Sequence, residues 1–222
     1  MTKSSTFVIT ISRQLGSGGA YLGQRLSLRL NALYVDHEIV RQAAEELQLP
    51  EEHVKSRDEK VTSRWQSILQ SFATSTTWSY APPPLDLLHD EALYSVETDI
   101  IRRIANQRTA VIVGRGSYYV LREHPRCLNV FLHADVDFRQ KRVQELYHVS
   151  GPEALKLIYS ADQQRANYLR ALTGQHWMDA RQYHLCLDTG AVGMEKAETI
   201  ILETVQARFG DIDIKKPETV KH

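Results

Sequence analysis

The sequence predicts an α/β fold: a three-layer α/β/α sandwich around a parallel, five-stranded sheet. Three observations predict it. Short segments apolar on both faces recur at Phe7–Ile11, Leu33–Val35, Ala110–Val113, Leu128–Leu132 and Leu185–Leu187, and strands buried on both faces belong to parallel sheets. Stretches of helical periodicity separate them, as right-handed β-α-β crossovers require. The first strand also runs straight into a glycine-rich turn, Gly16-Ser-Gly-Gly19, that opens an amphipathic helix.

The helices follow in order at about 19–31, 37–48, 51–75, 90–107, 135–148, 152–171 and 193–209. In the first, Leu22, Leu26 and Leu30 recur every four residues and place Gly23 inside the helix. Ser95 and Glu97 precede the stripe Ile100, Ile101 and Ile104, which packs the helix at 90–107 on the sheet. Asp135, directly after the fourth strand, reads as an N-cap. Residues 76–90 break the pattern with three prolines flanked by aromatics, and read as a surface excursion or flap. The tail 211–222 is charged, contains Pro217 and lacks periodicity, so it is expected to be disordered. Residues 1–210 form one domain, with a lid region at about 142–182.

Composition narrows the class. The chain has 222 residues, 42% of them hydrophobic, which is enough for a single core. Its 27 Lys plus Arg balance its 27 Asp plus Glu, so no overall field draws nucleic acid or an acidic membrane. Cys127 and Cys186 each sit in a predicted buried strand without a CxxC partner, and read as small apolar core residues in a reducing compartment. No apolar run approaches the roughly 20 residues of a bilayer span. The N-terminal Met-Thr-Lys-Ser-Ser leads straight into a strand and leaves no room for a signal peptide. A cytoplasmic protein is expected.

Ligands of an open parallel sheet bind outside the carboxyl ends of its strands. Those ends carry Ser12 and Arg13 with the glycine turn, then Asp36-His-Glu38, Gly114-Arg-Gly-Ser117, His133, and Asp188-Thr189. The turn Gly16, Ser17, Gly18, Gly19 aims backbone N–H groups at one point beside the positive end of a helix dipole, which makes an anion site. The Walker pattern G-x-x-x-x-G-K-[ST] fits with Arg13 at the first glycine and Gly18 at the second; Gly19 then stands at the lysine and Ala20 at the hydroxyl. A dinucleotide pattern starting at Gly16 meets Tyr21 at its third glycine, though Asp36 lies at the distance of a ribose-binding acid, so that alternative stays open.

Asp36 and Asp188 read equally as helix caps or as ligands. Arg115, between two glycines, leaves room for a ligand to approach. A further cluster, Asp162, Arg165, Asn167, Tyr168 and Arg170, with Arg139, Lys141 and Arg142 before it, is either a salt-bridged solvent face or a lid whose arginines close on phosphates. The nine histidines show no HExxH spacing, and there is no G-x-S-x-G elbow. No residue set reads as a metal site. Arginines and a backbone anion cradle remain, the parts that phosphoryl transfer uses.

Taken in order, Ile11-Ser-Arg-x-x-Gly-Ser-Gly-Gly, Tyr34-Val-Asp-His-Glu-Ile-Val40, Val111-Ile-Val-Gly-Arg115, Phe131-Leu-His-Ala134, Asp162-x-x-Arg165-x-x-Tyr168, Thr173-Gly-x-x-Trp177 and Tyr183-x-Leu-x-Leu-Asp-Thr189 resemble the cytidylate kinase-like family, a branch of the P-loop nucleoside monophosphate kinases. The resemblance covers about residues 7–208. It implies a P-loop fold, a phosphate loop at Gly16–Gly19, a monophosphate contact at Arg115, a pyrimidine-side or ribose contact at Asp188, a polar contact at Asp36, and lid residues at Arg165 and Arg142. It also implies ATP or another nucleoside triphosphate, Mg2+, and small nucleotide substrates. The chain departs from true cytidylate kinases, which carry Gly-Lys-[Ser/Thr] where it has Gly18-Gly19-Ala20, and Asp-Gly-Arg-Asp where it has Val113-Gly114-Arg115-Gly116. Arg13 is then the candidate for the missing positive charge, and Asp36 or Asp188 for magnesium. The expected activity is phosphoryl transfer with Arg13, Arg142 and Arg165 neutralising the phosphates. The rivals are a nucleotide-binding sensor that has lost catalysis and a dinucleotide- or other anion-binding module.

Overall fold

Five strands, β1 (Val8–Arg13), β2 (Leu33–Val35), β3 (Ala110–Val113), β4 (Cys127–His133) and β5 (Leu185–Asp188), form one sheet in the order β2-β3-β1-β4-β5. Every pairing is parallel. This is a computed structural model that describes residues 6–36, 39–40 and 91–216. The helix expected at 51–75, nearly all of that at 37–48, and the Pro-rich segment 76–90 lie outside the described residues.

Strand alternation sorts the apolar side chains into two layers. Ile9 and Ile11 of β1 join Leu22, Leu26, Ile201 and Val205 beneath α1 (Gly19–Arg29) and α6 (Met194–Phe209). Val8 points the other way, to Ile100, Ile101 and Ile104 of α2 (Glu91–Gln107) and to Val120 of the short α3 (Ser117–Val120). The three-layer α/β/α sandwich expected from the sequence is the observed architecture. Asp135 does cap α4 (Val136–Tyr147), accepting from the Phe138 amide at 2.8 Å. A capping box between Ser150 and Glu153 starts α5 (Gly151–Thr173). Helices α4 and α5 share a small core of Leu15, Val143, Ala154, Ile158 and Ala161, so this pair is anchored to the turn after β1.

Three sequence expectations need correction. Strand β1 runs on to Arg13, because Ser12 and Arg13 pair with Phe131 and Leu132 of β4. Cys186 is exposed, since β5 is an edge strand with incomplete cover, whereas Cys127 is buried and its thiol is pushed up to about 12 by desolvation. The tail is not disordered over 211–216: Ile212 and Ile214 pack on the core, the Lys215 amide donates to the Arg29 carbonyl at 2.8 Å, and Lys215 Nζ donates to Asn31 at 3.0 Å. No helix among the described residues is long and apolar enough to cross a membrane.

A pH-sensitive contact joins β4 to the segment before β5. The Asn129 amide donates to His184 Nδ1 at 2.9 Å, which requires that nitrogen to be unprotonated. Burial first, then the Arg208 guanidinium, lowers the His184 pKa from its ordinary value of 6.5. The unfolded chain therefore takes up this proton more readily than the folded one. The stabilisation is complete above about pH 6.5 and is lost as pH falls through the lowered folded value. His184→Gln should lose this component of the acid-induced fall in urea midpoint between about pH 8 and pH 5, while the parent keeps it. Parallel curves for the two proteins would refute the assignment.

Candidate functional site

The glycine turn is fixed from both sides. The Gln14 amide donates to the Leu132 carbonyl at 3.0 Å, and the Leu15 amide to Asp162 Oδ1 at 2.9 Å. Ser17 is fully buried, with its hydroxyl between the carbonyls of Gln14 and Leu132 at 2.9 and 3.1 Å. Its amide donates to Gln14 and its carbonyl accepts from Thr189 Oγ1. Both donors of Ser17 are thus committed within the protein. This corrects the sequence expectation, which placed Ser17 in the anion cradle. The amides of Gly16, Gly18, Gly19 and Ala20 make no hydrogen bond with the described residues. Gly18 sits at the N-cap of α1 in a left-handed conformation (φ 86), and no side chain caps the helix. An uncapped helix start with converging amides favours an anion.

Arg13 crosses this turn. A Cβ at Gly19 would lie 2.6 Å from Arg13 Cγ and 2.9 Å from its Cβ, so the stem of Arg13 fills the space over residue 19. A Cβ at Gly114 would collide with Arg13 Nη1 and fall 3.1 Å from Cζ, so the guanidinium lies against the end of β3. The two glycines make room for one arginine. Its head stands between the turn after β1 and the loop after β3.

That second loop is unusual. Gly114, Arg115 and Gly116 have successive φ values of 88, 54 and 60, placing a non-glycine residue in the left-handed region at a cost of roughly 1–2 kcal/mol. The Arg115 side chain turns inward, with Nη2 3.1 Å from Glu97 Oε1 on α2; the two side chains are 6% and 3% exposed. Its guanidinium also lies 6.0 Å from the centre of the Tyr168 ring on α5. Burial raises the Glu97 pKa, and Arg115 opposes the rise. The flanking glycines do not open a path to Arg115, as the sequence suggested: Arg13 fills the space at Gly114, and Leu169 Cδ2 would lie 3.1 Å from a Cβ at Gly116.

The two predicted acids do not meet. Asp36 Oδ1 accepts from the Ile39 amide at 3.2 Å, and Asp188 Oδ1 accepts from the Gly190 and Ala191 amides, both at 3.0 Å. Each acts as a helix cap. Asp36 follows β2 and Asp188 ends β5, the opposite edges of the sheet. Four interstrand spacings separate those edges, roughly 19 Å. The expected acceptor set Asp36, Arg115 and Asp188 therefore splits: Asp36 and Arg115 follow neighbouring strands, and Asp188 lies apart. Among the described residues, no three His, Cys, Asp or Glu side chains gather as a metal site.

Asp162 of α5 ties the lid region to the turn. Its Oδ1 accepts from the Leu15 amide and, at 3.1 Å, from Arg165 Nη1; its Oδ2 accepts from Arg139 Nη1 at 2.6 Å. Arg165 is thereby brought beside the turn. Arg142 instead lies over the Phe138 ring of its own helix, 6.0 Å from the ring centre. The sequence places Arg139 in a solvent face or a lid, whereas its side chain is buried, 8% exposed. The available signal was its spacing from Val143, which puts an arginine on the buried face of α4. A cleft of about 380 Å3 opens beside these groups, between Gln14, Arg139, Asp162, Asn167, Trp177 and Met178. Asp162→Ala removes the carboxylate that two largely buried arginines share and should cost about 3 kcal/mol of stability, read from urea unfolding. A loss under about 1 kcal/mol, the range of exposed pairs, would show that the cluster does not hold the turn.

Residues 8–191 match the model of a family described as the cytidylate kinase-like family. No curated protein matches the chain. Among solved structures, an uncharacterized protein from Eubacterium ventriosum ATCC 27560 is similar at 22% identity, with a TM-score of 0.69 over 91% of this chain and 100% of its own. That likeness concerns the fold alone. A shikimate kinase from Bacteroides thetaiotaomicron superposes at 14% identity and a TM-score of 0.48, covering 90% of this chain and 98% of its own. At that level of agreement nothing further follows from it.

Proposed function

The chain belongs to the cytidylate kinase-like family, and from that membership we propose a phosphotransferase that moves the terminal phosphoryl group of ATP, or another nucleoside triphosphate, to a nucleoside monophosphate or similar small acceptor. The observation that carries this reading is the path of Arg13, whose stem lies over Gly19 and whose guanidinium lies against Gly114. The amides of Gly16, Gly18 and Gly19 hold the donor phosphates at the start of α1. Arg115, after the neighbouring strand, takes the acceptor phosphate, and Asp36 lies on the same side. An acceptor oxygen attacks the terminal phosphorus while the bond to the bridging oxygen breaks, releasing a nucleoside diphosphate. Arg13 stabilises the charge that shifts during this step, and Arg165 adds positive charge from the lid. Such transfer needs positioning and charge stabilisation more than covalent help.

A divalent cation supplies further neutralisation of phosphate oxygens in reactions of this class. The described residues do not fit a preassembled metal site, because Asp36 and Asp188 are committed as caps on opposite edges of the sheet. Magnesium commonly binds through one or two carboxylates plus the substrate's own phosphates, and no step above is routed through it. Two free cysteines suit a reducing, cytoplasmic setting. The balanced charge suits small nucleotides rather than nucleic acid as partners.

A sensor without turnover is the second reading. The observation favouring it is that Arg115 is already neutralised by Glu97, while Ala20 offers no hydroxyl. Thermal shifts with ATP, GTP, CMP, dCMP and NAD, each with and without magnesium, test the binding shared by both readings, since a ligand of the native state raises apparent stability by mass action. A nucleoside triphosphate should raise Tm. A response to NAD alone would overturn both readings in favour of a dinucleotide module.

A further inference from the structure

The loop after β3 contains an arginine that the proposed function assigns to the acceptor. Gly114, Arg115 and Gly116 are all left-handed, and the loop backbone is pinned around them: the Gly114 amide donates to the Ile11 carbonyl and the Ser117 amide to the Gly114 carbonyl, both at 3.0 Å. Two further groups meet the far end of the Arg115 side chain. Glu97 reaches Nη2 from α2, and Tyr168 faces the guanidinium from α5.

Glu97 has no evident role in the core. It lies three, four and seven residues before Ile100, Ile101 and Ile104, on the face of α2 that packs against the sheet, yet it is an acid 2% exposed as a residue. An apolar residue there would extend the stripe without desolvating a charge. The Arg115–Glu97 contact is an ion pair without hydrogen-bond geometry, and a buried carboxylate constrains where a facing arginine points because opposite charges attract strongly away from water.

We propose that Glu97 is a positioning residue for the acceptor: it fixes Nη2 of Arg115 so that the rest of the guanidinium presents to an acceptor phosphate. This rests on the reading of Arg115 as the acceptor contact. Glu97 acts through Arg115 and touches no substrate itself. The Arg115 Nε is buried and makes no hydrogen bond with the described residues, so the group keeps donor capacity beyond the Glu97 contact. Glu97 also offsets the Arg115 charge, while the Arg13 guanidinium lies against the adjoining Gly114.

The test uses the full chain, with CMP as the acceptor probe and ATP as the donor. Glu97→Gln keeps the shape and removes the charge, and its folding is checked by Tm. The expected result is an acceptor Kd and KM raised at least tenfold, with kcat and the donor KM within about threefold of the parent, the pattern of lost ground-state binding. Arg115→Ala should weaken the acceptor at least as much, and Glu97→Gln with Arg115→Ala should be no worse than Arg115→Ala alone, because a residue acting through another is non-additive with it. Unchanged or tighter acceptor binding by Glu97→Gln overturns the proposal. So does equal loss of donor and acceptor, which marks a general structural role, and so does an additive double variant. If Arg115→Ala leaves acceptor binding intact, the assignment of Arg115 fails and takes this inference with it. If Arg115→Ala weakens the acceptor and Glu97→Gln does not, only the inference fails.

Discussion

Arg13→Ala is expected to lower kcat by about two to three orders of magnitude, the usual loss on removing one preorganised charge stabiliser, with donor affinity changed by no more than a few-fold. Arg13 ends β1 because its backbone pairs with Leu132. From there the stem lies over Gly19 and the guanidinium lies against Gly114, between the donor turn and the loop that carries Arg115. A charge so placed acts most strongly as negative charge shifts between donor and acceptor. Interactions strengthened only in the transition state raise kcat rather than affinity. Arg13→Lys should recover only part of the rate, since an ammonium lacks the planar fork. Steady-state kinetics at saturating donor read both variants. A rise in donor KM with kcat intact would make Arg13 a simple binding residue.

Gly19→Lys is expected to be as damaging as the loss of Arg13, even though it restores the residue that a Walker turn carries. A Cβ at position 19 would stand 2.6 Å from Arg13 Cγ, so the new side chain drives the arginine out. The contact is with the stem near the backbone, which has little freedom to move aside. The pair Arg13→Gly with Gly19→Lys removes that conflict and lets a lysine reach the phosphates from the start of α1. The double variant should therefore transfer faster than Gly19→Lys alone, by at least tenfold. Parental kinetics in Gly19→Lys would show that Arg13 does not occupy that space during turnover. The two positions behave as alternatives, one cation delivered from the strand or one from the helix.

Much of the fold was legible because the strands are apolar on both faces and the helices carry regular apolar stripes. Leu22 and Leu26 of α1, and Ile100, Ile101 and Ile104 of α2, face the core as their spacing required. What could not be read was order across the sheet. Asp36 and Asp188 both follow strands, and only the order β2-β3-β1-β4-β5 puts them on opposite edges. The same order leaves β5 at an edge and exposes Cys186. Arg13 looked like a loop residue because Ser12 and Arg13 are polar; their strand pairing depends on β4, far away in sequence. Glu97 reads as a polar residue ahead of an apolar stripe, although its i+3, i+4 and i+7 spacing to Ile100, Ile101 and Ile104 places it on the buried face. Arg139, read as a lid or solvent-face residue, is likewise on a buried face, that of α4. In both, a charge at a core-facing position was the readable signal, and its partner was not.

Transfer of label from radiolabelled ATP to a panel of nucleoside monophosphates, with magnesium, by the parent and by Arg13→Ala, tests the central claim most directly. The account predicts labelled nucleoside diphosphate from at least one acceptor with the parent, and a signal reduced at least a hundredfold with Arg13→Ala. Clear ATP binding by the parent with no transfer to any acceptor would contradict it and leave a nucleotide sensor in its place.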